Sequence, residues 1–70
     1  MTLEQIREAN ENELEIAVRE LIKHQAKMTL GEFHATTRTI YDRAKAINAN
    51  IERLNQIARE SYAMATKEDK

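Results

Sequence analysis

The seventy-residue chain has no cysteine, no proline, no tryptophan and a single glycine, Gly31. Without cysteine there is neither a disulfide nor a thiolate metal site, so nothing marks an oxidising compartment and the cytoplasm is the expected location. Aromatic residues are scarce: Phe33, Tyr41 and Tyr62 are the full set. The alternating aromatic and β-branched runs of strands are missing. No apolar stretch approaches the roughly 20 residues that cross a bilayer. The start, MTLEQIREANENE, also lacks the basic region, apolar core and small-residue cleavage site of a signal peptide. No membrane partner is therefore expected.

Chemistry is equally sparse. There is no glycine-rich phosphate loop, no Ser, His and Asp grouping, and no Glu-x-x-His pair of the kind that holds di-iron centres in helical bundles. Glu20 and His24 stand at i and i+4 with His34 beyond a turn, but His34 points away from the apolar stripe of its helix. The sequence thus predicts no enzyme activity, no catalytic residue, no cofactor and no metal ligand set.

What remains is a helical composition rich in Ala, Glu, Arg, Ile and Leu, one third of it charged, with a net charge of −1. The charge is segregated. Residues 1 to 18 set Glu4, Glu8, Glu11, Glu13 and Glu15 against Arg7, whereas residues 19 to 53 carry Arg19, Lys23, Lys27, Arg38, Arg43, Lys45 and Arg53 against fewer acids.

Two helix starts stand out, because a hydroxyl residue followed three positions later by Glu or Gln can satisfy orphan backbone N–H groups reciprocally. Thr2 with Gln5 forms one such box, with Met1 and Ile6 as its apolar staple; Thr29 with Glu32 forms the other, with Met28 and Phe33. They predict a first helix over about residues 3–27 and a second over about 30–65. Gly31 then falls in the first turn of the second helix. The first helix carries an apolar stripe through Leu3, Ile6, Leu14, Ala17, Val18 and Leu21, widened by Ile22, with Asn10 in line.

The second helix follows a heptad rule, with Phe33, Ile40, Ile47 and Leu54 at one core position and Thr37, Ala44, Ile51 and Ala58 at the other. The two stripes would be misaligned on one continuous rod, so a chain that doubles back is favoured over a rod on the order of 100 Å. The fold class read from the sequence is all-α: a single domain over residues 1–66, folded as a two-helix antiparallel hairpin, with residues 67–70 as a disordered tail.

In that hairpin the second helix outlasts the first by about ten residues, ~15 Å, and its overhang is apolar. The remedy predicted is a homodimer of hairpins forming an antiparallel four-helix bundle of coiled-coil type. Its seam would comprise Phe33, Ile40, Ala44, Ile47, Ile51, Leu54, Ile57, Ala58, Tyr62 and Met64, with Asn10, if buried, setting register.

Two outer faces offer binding surfaces. His34, Arg38, Tyr41 and Lys45, spaced four, three and four, form a basic strip with one aromatic, a candidate nucleic-acid contact. Ala9, Asn12 and Ile16, with Gln5 and Glu20, form a shallow face on the first helix for an unidentified protein target. The function expected is that of a small non-enzymatic regulatory or adaptor protein acting by protein–protein interaction as a dimer. The alternative is a nucleic-acid-binding accessory protein of the phage- or plasmid-encoded kind.

Overall fold

A computed structural model describes the backbone of residues 1–68 and the side chains of residues 1–64. All the regular structure described is helical: α1 (Leu3–Arg7), α2 (Glu11–His24), α3 (Leu30–Ala46) and α4 (Ile51–Glu68), with a single 3₁₀ turn over Gln25–Lys27 closing α2. Its longest extent is 38 Å, well below that of a continuous rod.

Each helix starts on a side-chain cap. Thr2 Oγ1 accepts from the Gln5 N–H at 3.2 Å while Gln5 Oε1 accepts from the Thr2 N–H at 2.8 Å. Thr29 Oγ1 accepts from the Glu32 N–H at 3.1 Å and donates to its carboxylate at 3.0 Å. These are the two starts legible in the sequence. Asparagines supply two more: Asn10 and Glu13 exchange bonds of 2.8 and 3.1 Å, and Asn50 Oδ1 accepts from the Arg53 N–H at 3.2 Å.

The asparagine caps divide what the periodicity presents as two long helices. The predicted first helix is interrupted at Glu8–Asn10, so Asn10 is an exposed cap rather than a buried register residue. The predicted second helix ends at Ala46. Asn48 there adopts the left-handed conformation, φ 57°, and the Ala49 N–H reaches the Ala44 carbonyl at 2.8 Å while the Asn48 N–H reaches that of Lys45 at 3.3 Å. That pair of bonds is a Schellman termination, which asparagine tolerates because its side chain is short and polar.

The two-helix hairpin is therefore replaced by an up-down-up arrangement with α1 laid across it. α2 and α4 run parallel. Glu11 at the start of α2 accepts from the Asn50 N–H at 3.1 Å, and near the far end Tyr62 Oη donates to Gln25 Oε1. α3 returns between those ends after the turn at Met28 and Thr29. α2 is the central element: it packs most extensively on α4 and also on α3, while α1 packs on α3.

One core joins all four helices. Ile6, Leu14, Ile40, Leu54 and Ile57 are its largest fully buried side chains, and Ala9, Ala17 and Ala44 let the backbones approach. The seam assigned to a second copy is thus partly used within the chain. Ile40, Ala44, Leu54 and Ile57 are buried, Phe33, Ile47, Ile51 and Ala58 are half-buried, and only Tyr62 and Met64 of that set are exposed. The reason is the break at residues 47–50, which swings α4 onto α2 and covers from within the stripe that a straight helix would have left open.

α4 continues through Glu68, past the predicted domain end at residue 66. Of the predicted tail, Asp69 and Lys70 lie outside the described residues.

Candidate functional site

At the α2–α3 turn the chain leaves apolar groups uncovered. Thr29 caps α3, so Leu30 becomes its first helical residue, one turn beyond the reach of α2, and is 73% exposed. Three positions on, Phe33 is half-buried and meets the His34 ring edge-on at 6.1 Å. Tyr62 approaches from α4, held through its hydroxyl by Gln25, with 44% of its surface exposed. Together with Met28 these residues line a hollow of about 360 Å³ at the turn end of the molecule. α4 then runs six residues beyond Tyr62, roughly 9 Å at 1.5 Å per residue, and Met64 on this overhang is 64% exposed. Tyr62 and Met64 were legible as an uncovered overhang. Leu30 was missed, although it stands three residues before Phe33 on the same stripe.

A second concavity lies between α1 and α3. It is an open groove of about 520 Å³, whose lining includes Leu3, Arg7, Arg38, Asp42, Arg43 and Ala46. Arg43 is fixed in place, its Nε donating at 2.8 Å to the carbonyl of the buried Ala9. Sequence spacing could not place Arg7 or Arg43 beside the strip, because their approach depends on how α1 docks.

The predicted basic strip is only partly intact. His34, Arg38 and Lys45 are exposed on α3, but Tyr41 is half-buried and its hydroxyl donates to Asn55 Oδ1 on α4, tying two helices together. The predicted face on the first helix also changes. Ala9 is buried, at 1% exposure, because the chain turns inward between α1 and α2; Asn12 and Ile16 remain exposed on α2, Ile16 at 47%. Glu20 pairs with the N-terminal ammonium at 3.1 Å. Among the described residues no group of three or more His, Cys, Asp or Glu side chains comes together, and no helix is long and apolar enough to cross a membrane.

No protein-family model matches the chain, and neither a curated protein nor a solved structure matches it. The functional reading rests on these surfaces.

Proposed function

We propose that the protein works by binding rather than by chemistry, as a small regulatory or adaptor module that self-associates end to end through the α2–α3 turn and the α4 overhang. The observation that supports this reading is the pair of exposed apolar residues Leu30 and Tyr62 on a hollow lined also by Met28 and Phe33, with Met64 exposed two residues farther along α4. Scattered apolar residues are ordinary on a surface, but a cluster set around a concavity is the usual mark of an interaction site.

A second copy suits this pole because knob and hollow sit side by side on one chain. A two-fold axis would then carry the overhang of each protomer over the hollow of the other. The surrounding charges are mixed. Lys27 and Arg59 stand near the turn and on α4, as do Glu32 and Glu60, so like charges need not oppose one another across the axis. The dimer proposed is thus smaller than a four-helix bundle and leaves the Asn12–Ile16 face of α2 open for a protein target.

Sedimentation equilibrium over a range of concentrations tests it. The full chain should approach twice the monomer mass as concentration rises. Leu30→Asp and Met64→Asp should remain monomeric with unchanged helical circular dichroism, since both side chains are mostly in water in the free chain. A wild-type chain that stays monomeric up to about 1 mM, a weak limit equivalent to only ~4 kcal/mol of binding, would remove the reading.

A further inference from the structure

We infer that the groove between α1 and α3 is a phosphate-binding site that takes the sugar–phosphate backbone of a nucleic-acid duplex. Arg7 comes from the end of α1, and Arg38 and Arg43 from two turns of α3, yet all line the same concavity. Asp42 is the one carboxylate among its lining residues. Among the described residues the ion pairs join the N-terminus to Glu20 and Arg19 to Glu15, so none of the three guanidiniums is held in an ion pair, and with Asp42 counted the groove keeps a positive excess.

Three cations gathered at one groove repel one another unless an anion bridges them. Arg43 is pre-positioned for that role, since only its Nε is bound to Ala9, leaving the remainder of a five-donor fork for a ligand. Guanidinium forks match phosphate oxygens in pairs, which is why arginine rather than lysine marks such sites.

The form of the groove selects the kind of anion. It is open rather than closed around a small ion, and its lining includes the apolar Leu3 and Ala46, against which a sugar edge can lie. Arg38 also belongs to the outer face of α3, flanked by the exposed His34 and Lys45. That line covers twelve residues, whose eleven steps make roughly 16 Å of helix, or about five steps of 3.4 Å along one strand. A polymer of evenly spaced phosphates fits this layout. The contacts reach phosphates and not base edges, so binding should be indifferent to sequence.

The test uses the full chain and a fluorescein-labelled 20-base-pair DNA duplex, read by anisotropy at 50 and 200 mM salt. With about three phosphates engaged, affinity should fall roughly 40-fold between the two salt concentrations. Arg7→Ala with Arg38→Ala should weaken binding at 50 mM salt at least about tenfold and make the salt slope shallower by about 1.8. Lys23→Ala with Arg53→Ala removes the same charge from exposed positions away from the groove and should change affinity less than about threefold. Arg43 is left intact in both variants because its bond to Ala9 supports the fold. No binding at 50 mM salt, an equal loss in the two double variants, or poly-glutamate binding as tightly as the duplex would each overturn the assignment. Self-association through the turn end involves none of these arginines, so the two readings stand or fall separately.

Discussion

Asn48 holds the left-handed conformation at the end of α3, φ 57°, where side chains other than glycine and asparagine are strained. Asn48→Gly should leave the urea midpoint unchanged or slightly raised, whereas Asn48→Val should lower stability by about 1–2 kcal/mol. Gly31 presents the opposite case. It sits in the first turn of α3 with ordinary helical backbone, and a Cβ added there would meet nothing within 4 Å. Gly31→Ala should therefore raise stability by about 0.5–1 kcal/mol, chiefly by restricting the unfolded chain. A loss instead would contradict the open surroundings and helical backbone assigned to Gly31. The chain's one glycine is thus neither hinge nor turn; the breaks are made by asparagine.

Between elements, the docking of α1 on α3 rests on Ile6, at 1% exposure, and on the bond from Arg43 Nε to the Ala9 carbonyl. Arg43→Ala would leave that buried acceptor without its partner and should lower stability by about 1–3 kcal/mol in urea unfolding. Arg43→Lys should recover only part, because an ammonium cannot reproduce the placement of Nε. How far the elements were legible follows from the caps. Thr2 and Thr29 announced themselves by pairing with Gln5 and Glu32 ahead of an apolar stripe. Asn10 carries the same signal, with Glu13 three positions on, but it lies inside a continuous apolar stripe, and Asn50 has Arg53 where an acid would stand; each break preserves the three-and-four spacing on both sides, so Ile47, Ile51 and Leu54 keep their stripe whether or not the helix is continuous between them. Periodicity identifies the face that will be buried; it does not say whether another helix of the same chain or a second copy buries it. That is why the core residues were recognised and their partner was misassigned. The turn-end cluster was legible in part, through Tyr62 and Met64, and the arginine groove only through Arg38, since the approach of Arg7 exists only once α1 folds across α3.

At the scale of the whole molecule, the difference between an internal core and an intermolecular seam has a thermodynamic signature. Leu54 is 1% exposed within a single chain, so Leu54→Ala should cost about 2–5 kcal/mol. Because the core closes without a second copy, the unfolding midpoint of that variant should shift with protein concentration no more than the wild type's. A dimer built along α3 and α4 would instead make the loss concentration-dependent, since subunit binding enters the stability by mass action. The self-association proposed at the turn end would add only a small contribution on top of a self-sufficient fold, as suits a module that forms and releases its contacts. The most direct measurement of where two copies meet is an isotope-filtered nuclear Overhauser experiment on a mixture of labelled and unlabelled chain. Contacts between the Met64 methyl of one copy and Leu30, Phe33 or Tyr62 of the other are expected; contacts from Ile40, Ala44 or Leu54, or none at any concentration, would contradict the end-to-end dimer.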